Sequence, residues 1–136
     1  MEKQPPKAPT FTALVIEDYR PERLLLKRRL QQLSFQVLEA ADGRSAMRHL
    51  TDGGFDLICL DLMLPDMSGL QICESIRRSP RHGKVPILVL SARALPEDRA
   101  HAEQAGVSAY LVKPFNWADF DVEVRRLVGA ASPQTP

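Results

Sequence analysis

The chain has 136 residues, 44% of them apolar and 26% charged, with a formal net charge of +1. That is one domain with enough chain to bury a core, and its charge balance gives no bulk electrostatic case for nucleic acid or an anionic membrane. Two cysteines, Cys59 and Cys73, are too few and too far apart for a disulfide framework or a zinc site, which fits a reducing compartment. The start, "MEKQPPKAPT", is polar and proline-rich, without the apolar stretch of a signal peptide, and no segment approaches the length of a membrane span. A cytoplasmic location is expected.

Residues 1–10 and 130–136 lack periodicity and read as tails around a single unit over 11–129. Phe11 to Ile16 is a short aliphatic run that predicts the first strand. A helix follows, with Pro21 near its start and Leu26, Leu30 and Leu33 on one side. Phe35 to Leu38 predicts the second strand, and Asp42 is the N-cap of a second helix with Ala46, Met47 and Leu50 inward. Phe55 to Leu60 is the third strand, before a helix from about Ser68 to Arg78. Pro86 to Leu90 is the fourth, before a helix that follows Pro96 and stops at Gly106. Ala109 to Val112 is the fifth; Asn116 then opens a last helix, with Phe120, Val124 and Leu127 inward.

These runs are largely non-alternating, as in parallel strands covered on both faces. Strands alternating with helices predict an α/β, doubly wound, five-stranded parallel sheet of flavodoxin-like order 2-1-3-4-5. The basic runs Lys27-Arg28-Arg29, Arg77-Arg78 with Arg81, and Arg125-Arg126 read as solvated faces. His49 and His101 fall in helical segments and His82 in a basic loop, where a solvated ring is expected.

Ligands of such sheets sit beyond the carboxyl ends of the strands, at the switch point between strands 1 and 3. Glu17 and Asp18 follow strand 1, Asp61 follows strand 3, Ser91 ends strand 4 and Lys113 follows strand 5. Singly, each has an ordinary explanation as a turn former, a cap or a surface lysine. Together, three carboxylates in one crevice would repel one another unless a hard divalent cation sits among them, and oxygen ligands with room for water suit Mg²⁺.

The acidic pair Glu17-Asp18, Asp61 followed by Pro65 and Gly69, Ser91-Ala92 and Lys113-Pro114 occur in order. With that spacing, the sequence resembles a receiver domain of two-component response regulators, similar to chemotaxis regulators, over about residues 11–129. The resemblance implies that Asp61 accepts a phosphoryl group from the phosphohistidine of a sensor histidine kinase or phosphotransfer protein. It implies Mg²⁺ held by Asp18, Asp61 and the backbone carbonyl of Met63, with Glu17 acting through water. Lys113 would neutralise a phosphoryl oxygen, and the Lys113–Pro114 bond would be cis. Ser91 and Tyr110 would form the switch pair, coupling the site to a surface of helix 4, strand 5 and helix 5 that meets a downstream protein or output domain. Beyond self-phosphorylation and slow self-dephosphorylation, no enzymatic turnover is implied.

On that resemblance, Met63 and Arg93 would flank the site where a hydrolytic water must approach, and neither is a good water-positioning group. Ser108-Ala109 occupies the place of an acidic pair that many dimerising members carry, which leaves the mode of any homodimer open. Trp117 reads equally as a partner anchor or as core. A non-phosphorylated pseudo-receiver, acting as a docking module, is the alternative; it would usually lack one of the acids or the lysine. A dehalogenase-type phosphatase would need a second acid where Met63 stands, and a flavodoxin a neutral phosphate loop where "EDYRPE" is anionic. Only a short stretch follows the last helix, so the chain is expected either to act by direct protein contact or to be one domain of a longer regulator or hybrid kinase.

Overall fold

The computed structural model describes residues 11–129, and both predicted tails lie outside them. In chain order the elements are β1 Phe11–Ile16, α1 Arg20–Gln32, β2 Phe35–Ala40, α2 Gly43–Asp52, β3 Leu57–Leu60, α3 Gly69–Arg78, β4 Ile87–Ser91, α4 Pro96–Ala105, β5 Ala109–Val112 and α5 Trp117–Gly129. All strand pairs are parallel and the order is β2-β1-β3-β4-β5, as expected. No helix among the described residues is long and apolar enough to cross a membrane.

The helix boundaries follow local chemistry. Asp42 accepts the Ser45 amide at 2.8 Å and Asn116 accepts that of Asp119 at 2.8 Å, satisfying first-turn donors. Gly106 ends α4 at φ 95°, a left-handed conformation that a side chain would strain.

The central strands hide their period because both faces are apolar. Leu14, Ile16, Ile58, Leu60, Ile87 and Val89 pack in one layer with residues of α2 and α3. Ala13, Val15, Leu57, Cys59, Leu88 and Leu90 pack in the other with Leu26 and Leu30 of α1 and Phe120 and Val124 of α5. The edge strands differ from the expected uniform burial. β2 alternates, with Leu38 exposed, and β5 is only half-buried throughout, because an edge strand has a neighbour on one side alone. Both cysteines are free and buried, and burial pushes the Cys59 thiol up to about 12 and that of Cys73 up to about 11.

Two surface expectations are corrected. His82 is 2% exposed: its Nε2 lies 2.8 Å from the Leu50 carbonyl, joining the loop before β4 to α2, and its ring faces Phe55. Arg77 is not a solvated charge; it donates to the carbonyls of Val85 and Gly106 and to Ser108 Oγ, tying α3 to the starts of β4 and β5. Helical periodicity places a residue on a face, but such long-range carbonyl partners have no local signature.

Gly69 is fixed by a close approach. A Cβ there would lie 2.6 Å from the Leu62 Cα and 2.7 Å from the Asp61 carbonyl oxygen, so backbone would have to move. Gly69→Ala should lose about 1–3 kcal/mol, the usual scale for overpacking, in urea-unfolding experiments.

Candidate functional site

The carboxyl edge of the sheet is held by backbone bonds that continue past the strands. Glu17 N–H donates to the Ala40 carbonyl at 3.0 Å, Asp61 N–H to that of Ile16 at 3.0 Å and Lys113 N–H to that of Ser91 at 2.8 Å. Three reactive side chains therefore start from fixed main chain. They also share a face: residues 13, 15 and 17, 57, 59 and 61, and 109, 111 and 113 follow the strand period of two, on the side covered by α1 and α5.

Their side chains meet. Lys113 Nζ lies 2.8 Å from Glu17 Oε1, 3.0 Å from Asp61 Oδ2 and 2.7 Å from Glu22 Oε2. The other Asp61 oxygen accepts the Met63 amide at 2.9 Å. Glu22 went unrecognised in the sequence. Its signal was its place at i−4 from Leu26 and i−8 from Leu30, on the buried stripe of α1; the first turn of that helix overhangs the strand ends.

Burial pushes the Glu17 carboxyl up to about 8, helped by its hydrogen bond to Glu22, while Lys113 pulls the other way. Glu22 is correspondingly held below the ordinary carboxylate range by that bond and by the amine. Burial would lower Lys113, but its bonds to Glu17, Glu22 and Asp61 hold its ammonium above its usual value.

Asp18 is not brought into this group. It is exposed, and its backbone carbonyl, rather than its carboxylate, meets Arg23. Arg23 also bonds the Glu17 carbonyl and, with Lys27, engages Glu39. Carboxylate oxygens of Glu17, Glu22 and Asp61 lie within 4.8 Å of one another, a hard oxygen set that fits a small divalent cation such as Mg²⁺.

Ser91 and Tyr110 belong to the opposite face, in register with the residues that pack toward α2 and α3. Ser91 is fully buried, with its Oγ accepting the Arg93 amide at 3.2 Å. Tyr110 donates its hydroxyl to the Arg93 carbonyl at 2.7 Å, and the Arg99 guanidinium of α4 lies 5.1 Å from its ring centre. Arg93 is further held by Asp98 at 3.0 Å, so this one loop residue joins Ser91, Tyr110 and α4. Met63 and Arg93 line a common cleft of about 180 Å³ beside the site.

Pro65 is exposed in the loop after Asp61, and the Lys113–Pro114 bond is cis. Trp117 packs in an aromatic group with Phe115 and Phe120, and Arg29, paired with Asp121, covers its ring.

Comparison with known proteins agrees with this architecture. Residues 13–125 match the model of the response regulator receiver domain. The phosphate regulon transcriptional regulatory protein PhoB of Klebsiella pneumoniae is 36% identical over 120 residues, covering 88% of this chain and 52% of that protein. The chain thus spans about half the length of the curated relatives it matches. Among solved structures, the receiver domain of sensor histidine kinase PA1611 from Pseudomonas aeruginosa, with a magnesium ion coordinated in its active site cleft, is 33% identical. It aligns with TM-score 0.80 over 88% of this chain and 98% of that one. The chemotaxis response regulator CheY4 of Vibrio cholerae is 29% identical, with TM-score 0.82 over 87% and 98% of the two chains.

The raised Glu17 carboxyl has a measurable consequence. With 4.5 as its reference value and about 8 in the folded state, the native protein binds the extra proton between these limits. Stability without divalent cations should therefore fall as pH rises from about 5 through 8, and Glu17→Gln should flatten that slope in chemical denaturation.

Proposed function

Because the chain belongs to the response regulator receiver domain family, we propose that it is a phosphorylation-dependent switch whose phosphoacceptor is Asp61. The observation that carries this is the amine of Lys113, 3.0 Å from Asp61 Oδ2, with the other Asp61 oxygen held by the Met63 amide. A carboxylate held from both sides is oriented for in-line attack, and the reaction needs positioning and charge neutralisation above all.

Asp61 attacks the phosphorus of a phosphohistidine on a sensor kinase or phosphotransfer protein. The P–N bond breaks, the imidazole leaves with its electron pair, and an acyl phosphate forms on the carboxylate. Lys113 faces the added negative charge. Asp18, Asp61 and the Met63 carbonyl would hold Mg²⁺ on the family pattern, with Glu17 behind them through water; that ion supplies charge neutralisation for the transferred group. Asp18, outside the resting cluster, is the ligand that has to turn inward.

The signal leaves by the opposite face. A phosphoryl oxygen gives the Ser91 hydroxyl a new acceptor, drawing in the β4–α4 loop, where Arg93 now bonds both Ser91 and Tyr110. Tyr110 then exchanges the Arg93 carbonyl for an inward position, changing the surface of α4, β5 and α5 read by a downstream protein or output domain. The pseudo-receiver alternative has no observation in its favour among the described residues, since the acids and the lysine all stand at the strand ends.

With a small acyl phosphate and Mg²⁺, the protein should gain one phosphoryl group, detected by mass or radiolabel, and Asp61→Asn should gain none. Equal labelling of that variant would refute the assignment. Met63 is 59% exposed beside Asp61 and offers no polar side-chain group to orient water. Replacing it with Asn should speed phosphoryl loss several-fold, followed as the decay of the same label.

A further inference from the structure

An ammonium group has three N–H donors, and Lys113 directs all three to carboxyl oxygens, of Glu17, Asp61 and Glu22. Glu22 is not among the residues that carry the family resemblance. Its oxygen is nevertheless the nearest of the three to the amine, at 2.7 Å. Its side chain is also the most exposed, at 41%, against 2% for Glu17 and 13% for Asp61. It stands on α1 at the rim of a cleft of about 170 Å³ shared with Leu25, Lys113 and Trp117, so it can turn without disturbing the sheet.

A phosphoryl group on Asp61 would bring nearly two negative charges and several acceptor oxygens to the same amine. The ammonium has no fourth proton: one phosphoryl oxygen can take over the bond now made to Asp61, and a second reaches the amine only if another carboxyl group releases it. Glu17 is enclosed, which leaves Glu22. If its charge stayed in place unopposed, it would repel the incoming phosphoryl; a divalent cation among the acids gives it a new counter-charge that lessens this repulsion, while the carboxylate still offsets part of the cation's pull on the phosphoryl group.

We infer that Glu22 is a positioning residue that holds Lys113 in the resting site and passes from the amine to the bound cation when Mg²⁺ loads. It tightens Mg²⁺ binding and opposes the phosphoryl group, so that phosphoryl uptake is tied more strictly to cation loading. The inference rests on the phosphoacceptor role proposed for Asp61.

The test compares the intact chain with Glu22→Gln, which removes the charge and keeps the shape. Calorimetry reads Mg²⁺ affinity, then beryllofluoride affinity at saturating Mg²⁺. Fluorescence of Trp117, the sole tryptophan, serves as a local signal. The variant should bind Mg²⁺ about tenfold more weakly, the scale of one charge facing a divalent ion in a half-exposed site, and beryllofluoride more tightly. Opposite signs identify the exchange.

An acid that serves only the start of α1 would alter thermal stability and leave both affinities unchanged, and that result overturns the inference. A loss of both affinities together also overturns it, because Glu22 would then be a plain support of the loaded site. If the native chain binds neither Mg²⁺ nor beryllofluoride, the reading of Asp61 falls first and this inference with it.

Discussion

One amine makes the carboxyl edge of this sheet tolerable. Glu17, Glu22 and Asp61 crowd within hydrogen-bonding reach of Lys113, in a place where burial already penalises charge. Without a cation among them, such a group would have to take up protons or spread apart. The ammonium of Lys113, with the raised affinity of Glu17 for a proton, lets the acids remain convergent. Convergent carboxylate oxygens are in turn what a small divalent ion requires.

The fold supplies that convergence through the pleat of its strands. Each strand sends alternate residues to opposite faces, so the parity of a strand-end residue decides which layer it joins. Glu17, Asp61 and Lys113 share one parity and face α1 and α5; Ser91 and Tyr110 share the other and face the helices across the sheet. The proposed chemistry and its proposed readout thus occupy two sides of one edge. The backbone between them is short: the Lys113 amide is bonded to the Ser91 carbonyl, so a shift at either residue is felt by the other. Arg93 extends the connection by bonding Ser91, Tyr110 and Asp98 from a single loop position.

Much of this was legible in the residues. The apolar runs, Asp42 and Asn116 at helix starts and Gly106 at a helix end are local signals, and the elements follow them closely. Asp61, Ser91 and Lys113 were legible because each interrupts or ends an apolar run. Glu22 was not, because a glutamate in the first turn of a helix has a sufficient explanation in the helix itself. Asp18 shows the converse. It looks equivalent to Glu17 in the sequence, yet the pleat turns it away from the amine, and it stands exposed in the resting site. His82 and Arg77 misled because each bonds a carbonyl distant in sequence, and neither a loop histidine nor a helical arginine carries a mark of being enclosed.

By itself, the amino-acid sequence determined the element types and their order, the parallel sheet and the family, since these depend on periodicity, caps and strand-end residues that are local in the chain. Tertiary structure alone decided which acids share the amine, which basic and imidazole side chains are enclosed, and how Asp61 is separated from Ser91 and Tyr110. Those outcomes depend on distances between residues as far apart as Glu17 and Lys113, which are set only when the sheet brings the ends of β1, β3 and β5 to one edge and the first turn of α1 closes over them.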